Sequence, residues 1–325
     1  MLPASVAVAR QGRGFWLANA PPRGFGSISR MRSAATAATA VPLLSAAGYA
    51  LAALMLKRAM EGERNPWRVV FIVNMVTALG FQSWFAVGGH PFTWENVGHA
   101  VLAGLAFFIG QVLTFIAISK GDVSISTPVL GTKVVFVALF AHLSGGETLG
   151  PGLWAATLLT SVALALLGGE WRANRDRLLV SVTFAFLAAI AFAATDVFQQ
   201  HWVPAFGYGH FGPVMFLTVA TLSLGLIPFF DGGLMTMPRG ALAWALPGSA
   251  VLALQAMGIA YCIGVFHEVT VTNVLYNTRG LWSVAMVWVV GHWFANTERE
   301  VGTGIMFRRL LGALLLLGAV WLSLR

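Results

Sequence analysis

Two cations stand where a chain this apolar has least use for them. The stretch "STPVLGTKVVFVALFAHL", residues 126–143, carries Lys133 far from either end, and "NVLYNTRGLW", residues 273–282, carries Arg279 among amides, hydroxyls and aromatic rings. An ammonium or guanidinium in such a run needs a counter-charge or a wet cavity. Arg279 is built to grip a carboxylate or phosphate in bidentate fashion, and Lys133 to act as a point charge, so the chemistry implied is anion binding. The alternative is a structural ion pair. Asp196 in "FAATDVFQQ" is its candidate partner, although one carboxylate does not balance two cations.

Polar residues cluster around the same positions. Thr132 and Thr278 adjoin the two cations, and Asn273, Tyr276 and Asn277 precede Arg279 within about two helical turns. Hydroxyls and amides there are candidates to orient a ligand. Trp282 shares a helical face with Arg279 and is a candidate to stack on it or close one side. Gln111, Gln255 and Asn74 are weaker candidates, since amides also join helices in membranes. Asp196 has a second candidate role, as counter-ion or carrier of a coupling proton. Pro128 is read as a kink ahead of Lys133, and His142 and His292 as residues at span ends.

The elements that must hold these groups follow from composition. Hydrophobic residues make up 58% of the chain and charged residues 10%, well below the share in soluble domains. Apolar runs near the length needed to cross a hydrocarbon core predict ten spans. These are 39–56, 67–86, 97–118, 123–143, 152–168, 178–198, 211–230, 241–264, 269–290 and 307–324. Lys133 lies ten residues into the fourth, about 15 Å along a helix, and Arg279 equally deep in the ninth. Both therefore fall near the expected midplane.

An internal repeat links the two. "GDVSISTPVLGTKVV" at 121–135 aligns without a gap to "HEVTVTNVLYNTRGL" at 267–281, pairing Asp122 with Glu268, Ser124 with Thr270, Ser126 with Thr272, Thr132 with Thr278 and Lys133 with Arg279. Gln111 and Gln255 precede these windows at nearly the same distance. Two five-span halves follow, and because five is odd the second must enter the bilayer the other way up, as an inverted repeat.

Over residues 39–324 the chain resembles the EamA branch of the drug/metabolite transporter superfamily. The resemblance lies in the five-plus-five layout, in "AISKGDVSISTPVLGTKVVFVALFAHLSGGETL", where Glu147 stands at the family's Gly-Glu pair, and in a weaker copy at 259–300. In that copy "ANTEREVGTGIMFRR" is longer than "GGETLGPG", so Glu298 and Glu300 both compete to match Glu147. The superfamily includes exporters of amino acids, drug antiporters and carriers of sugar phosphates, and the resemblance fixes no substrate. It implies repeats at 39–168 and 178–324 following a basic tail at 1–38.

That tail holds Arg10, Arg13, Arg23, Arg30 and Arg32 without an acidic residue and shows no secretory h-region. A disordered tail or a true start at Met31 is favoured over a transit peptide. Loops on one side carry twelve basic residues, so positive-inside counting puts both termini outside, whereas the resemblance implies the reverse.

Other classes find little support. None of Lys57, Lys120 and Lys133 precedes serine or threonine as a P-loop requires, and neither H-E-x-x-H nor G-x-S-x-G occurs. The single cysteine, Cys262, offers no disulfide framework and no Cys-based metal site. The expectation is an all-α polytopic secondary transporter of a bacterial-type inner membrane, moving a small polar metabolite with an anionic group by alternating access. Its partners are the bilayer, that substrate, and a coupling proton or exchanged solute; no cofactor, metal or nucleic acid is expected. An exporter of amines or lipophilic cations using Asp196, or an intramembrane enzyme, is the alternative.

Overall fold

The computed structural model describes residues 26–63, 65–120, 126, 129–167, 175–233, 236–290 and 303–324. Arg10, Arg13, Arg23, Asp122, Ser124, Pro128, His292, Glu298 and Glu300 lie outside the described residues. Every element described is helical. In chain order these are α1 (Gly26–Gly62), α2 (Pro66–Gln82), α3 (Trp94–Lys120), α4 (Lys133–Leu143), α5 (Pro151–Leu167), α6 (Arg175–Phe206), α7 (Tyr208–Ser223), α8 (Arg239–Phe266), α9 (Val269–Tyr276), α10 (Arg279–Val290) and α11 (Thr303–Ser323).

The ten expected spans are not all of crossing length. Six described helices are long and apolar enough: Thr36–Gly62, Pro66–Ala86, Trp94–Ala117, Leu178–Phe206, Tyr208–Phe229 and Arg239–Phe266. Expected spans four, five and ten are the shorter apolar helices Val129–Leu143, Pro151–Leu167 and Leu310–Ser323, and span nine divides into α9 and α10. The interruptions have a local cause. At "LGTK" and "YNTR" a threonine hydroxyl bonds back to the carbonyl three residues earlier, Thr132 to Val129 and Thr278 to Leu275, each at 2.7 Å. The backbone N–H of each threonine bonds the same carbonyl, so both helices tighten one residue before the cation.

Helix α1 also begins ahead of the boundary expected at residue 39 and runs on through "LKRAMEG", a string of good helix formers closed by glycine. Asn65 caps α2, its side chain accepting from Trp67 N–H with Pro66 in the first turn. Gly207, with φ +81°, turns the chain from α6 into α7 where it passes against Gly89.

Helix α1 packs along α8 and α3 along α6; α2 meets α8 and α7, α3 also meets α7, α4 meets α6 and α9, α9 and α10 meet α1, and α5 pairs with α11. Glycines bring some of these axes close. A Cβ at Gly104 would come within 2.5 Å of Met215 O, and one at Gly312 within 2.8 Å of Ala163 O. Phe81, Phe206, Phe211, Met215 and Phe216 form one core between α2, α6 and α7. A second joins Val137, Ala141, Ala193, Val197, Ile263 and Val269.

Candidate functional site

Helices α4, α6 and α9 place three polar groups together. Lys133 opens α4, and its Nζ lies 2.6 Å from Oδ2 of Asp196 on α6. The same oxygen accepts from Asn273 Nδ2 of α9 at 2.8 Å, while that amide also donates to Val269 O at 3.0 Å. Asp196 and Asn273 are buried, and the Lys133 side chain keeps 19% of its surface. The pair therefore has limited access to solvent, and a hydrogen-bonding amide supports the carboxylate.

Arg279 has different company. It opens α10 with its guanidinium carbon 4.7 Å from the ring centre of Tyr49 on α1 and 4.9 Å from that of Tyr276 on α9. The two rings meet edge to face at 6.0 Å. No carboxylate lies within ion-pair distance of Arg279 among the described residues. Cation–π contact stabilises a guanidinium without neutralising it, so its charge stays available to an anion.

The remaining sequence candidates divide. Thr278 and Asn277 are buried at the α9–α10 junction and Thr132 sits at the head of α4, but both threonine hydroxyls are spent on backbone carbonyls. Trp282 is 41% exposed, and among the described residues the rings over the Arg279 guanidinium are those of Tyr49 and Tyr276. Gln111 donates to Asn74 Oδ1 at 3.0 Å, and Asn74 to Ser223 Oγ at 2.8 Å, so these two amides tie α2, α3 and α7 together. Gln255 Nε2 bonds Leu252 O within α8, and its Cβ side packs at Gly48, next to Tyr49.

Sequence reasoning missed Tyr49, which sits in "SAAGYALAAL" with no polar neighbour beyond Ser45 to draw attention. It also assigned no role to Glu63 and Arg68. They are buried at 6% and 2%, paired at 2.7 Å, and Arg68 further donates to Asp231 O at 2.6 Å.

The model of the EamA-like transporter family matches residues 37–169. That segment is similar to this family, which belongs to the drug/metabolite transporter superfamily. It spans α1 to α5 and contains Tyr49 and Lys133, whereas Asp196, Asn273 and Arg279 lie beyond it. The EamA family comprises transporters, and with the long apolar helices it marks the chain as an integral, multi-pass membrane protein. A crystal structure 16% identical in sequence superposes with a TM-score of 0.69, covering 89% of this chain and 96% of the other. At that identity it speaks to the fold alone. No curated protein matches the sequence.

Proposed function

We propose that the chain is a secondary transporter of small metabolites bearing an anionic group, with Arg279 as the anion receptor between Tyr49 and Tyr276. One observation carries this reading. Of the two deep cations, Lys133 has its carboxylate and Arg279 has none among the described residues. Lys133, Asp196 and Asn273 then form the wall that fixes α4, α6 and α9 around the ligand, and Thr278 and Asn277 line the junction beside it. An amine exporter using Asp196 would first have to displace the Lys133 ammonium.

The two-fold architecture is part of the proposal. The helix pairings support it, because exchanging α1 with α6, α2 with α7, α3 with α8, α4 with α9–α10 and α5 with α11 maps the principal contacts onto one another. The threonine-tightened turn ahead of each cation supports it too. Interrupted helices whose second halves begin at a binding centre suit alternating access around a fixed site.

The test is a thermal-shift screen of the detergent-purified protein against anionic, zwitterionic and cationic metabolites, with Arg279→Gln in parallel. A ligand at 100 times its Kd stabilises by about 2.7 kcal/mol. Anions should shift the wild type and leave Arg279→Gln unmoved; cations acting alone on both proteins would refute the proposal.

A further inference from the structure

A second ionisable group lies away from the cations, at the turn between α4 and α5. Glu147 Oε1 accepts from Gln200 Nε2 of α6 at 3.0 Å and from the Thr270 backbone N–H of α9 at 3.2 Å. Gln200 Nε2 also donates to His267 O at 2.5 Å. Three side-chain oxygens remain: Glu147 Oε2, Gln200 Oε1 and the Thr270 hydroxyl are buried without a hydrogen-bond partner among the described residues. Gly146 closes over the amide, where a Cβ would come within 3.0 Å of Gln200 Oε1.

Two buried acceptors on adjoining side chains are a poor arrangement for an ionised carboxylate and a natural one for a carboxylic acid. A primary amide and a carboxylic acid pair through two hydrogen bonds, N–H to one carboxyl oxygen and O–H from the other to the amide oxygen. One of these is present at 3.0 Å. The Thr270 hydroxyl is placed to donate to the carboxyl, and a proton on Oε2 supplies the donor that Gln200 Oε1 still lacks.

The charge balance around the site agrees. The titratable and charged groups on the surrounding elements are Lys133 and His142 on α4, Arg175, Asp176, Arg177, Asp196 and His201 on α6, His267 and Glu268 in the α8–α9 turn, and Tyr276 at the end of α9. Asp196 is engaged by Lys133, and no cation pairs with Glu147 among the described residues. Burial raises the Glu147 carboxyl above its usual range, and partial burial holds the His267 imidazole below its own.

We propose that the Glu147 carboxyl is a proton-binding site, paired with Gln200 when protonated, and that its proton is the coupling ion of transport. The route to the cations is short. Thr270, whose N–H reaches Glu147, lies on the same eight-residue helix as Asn273, which holds Asp196. Losing the proton places a bare carboxylate against Gln200 Oε1, loosens the α4–α5 turn from the head of α9, and so bears on the Lys133–Asp196–Asn273 cluster. The proton site stands without the anion reading; the coupling rests on it.

Infrared difference titration of the full-length protein in detergent tests the site without any substrate. The wild type should show a protonated-carboxyl C=O band persisting above the usual carboxylate range, lost in Glu147→Gln. Gln200→Leu, which keeps the carboxyl and removes its amide, should shift the band and serves where Glu147→Gln does not assemble. A spectrum unchanged by both variants would overturn the site. Coupling is read separately, by hydrogen exchange of the Val269–Asn273 amides corrected for intrinsic pH dependence. Protection should fall as pH rises in the wild type and stay constant in Glu147→Gln, whose amide still pairs with Gln200. A pH response identical in the two proteins refutes the coupling even where the infrared band stands.

Discussion

Lys133 and Asp196, 63 residues apart in the chain, meet at 2.6 Å, and the amide of Asn273 closes on the same carboxylate oxygen. Removing one member of a buried pair strands the other, at a cost of about 3–5 kcal/mol. Asp196→Asn should fall near the lower end, since Lys133 retains some access to solvent. Lys133→Met combined with Asp196→Asn should recover most of that loss. Denaturant unfolding in detergent, analysed as a double-mutant cycle, checks this; additive losses would show that the two charges do not interact.

Tyr49 should matter to Arg279 through its ring. Tyr49→Phe keeps the aromatic face and should retain most of the affinity for an anion found by the thermal-shift screen. Tyr49→Leu removes about 0.5–2 kcal/mol of cation–π stabilisation and leaves the guanidinium free to swing, weakening binding roughly 2- to 30-fold. Titration calorimetry of the two variants separates ring from hydroxyl; equal losses in both would assign the role to the hydroxyl.

What the sequence made legible here was chemistry within a span. Lys133, Arg279 and Asp196 announce themselves because charge is expensive among apolar neighbours, and the repeat follows from their spacing. Partnership was less accessible. Asp196 serves Lys133 and leaves Arg279 to tyrosines, a choice made by the packing of α1, α6 and α9 that no local pattern encodes. Glu147 shows the same limit: its position in "GGETL" was visible, but its partners Gln200 and Thr270 come from remote segments. Helix lengths misled for a physical reason, since the apolar residues on either side of the short polar turns "LGTK" and "YNTR" read as one continuous span, while the backbone tightens at the turn itself.

The Glu63–Arg68 pair fastens the α1–α2 connection to the segment after α7. Arg68 spans Glu63 Oε2 and Asp231 O, and Asn65 Nδ2 reaches Phe229 O at 2.8 Å. Arg68→Met leaves Glu63 buried and unpaired, and should destabilise by about 3–5 kcal/mol. Arg68→Lys should rescue only part, because an ammonium lacks the planar fork that serves both acceptors. Unfolding free energies of the two variants check the order; full rescue by lysine would reduce the arginine to a simple charge.

His267 ends α8 in the left-handed region, at φ +58°, with its N–H on Ile263 O and its carbonyl accepting from Gln200. A side chain there is strained, so His267→Gly should be at least as stable as wild type near neutral pH and His267→Val about 1–2 kcal/mol less stable. The imidazole adds a pH term. Its folded-state pKa is held below the ordinary value by partial burial, so between the two values the unfolded chain binds more protons. Stability from this group is therefore present above about pH 6.5 and lost as pH falls toward the depressed value. The slope should be shallow, because the residue is exposed on one side. Glu147 and Glu268, both raised by burial, act oppositely: each costs stability as pH rises from the ordinary carboxyl range toward its own folded value. Subtracting the His267→Gly curve from the wild-type curve cancels those carboxyls and leaves the histidine alone. A difference curve flat between pH 5 and 7 would mean that His267 titrates as it does in the unfolded chain.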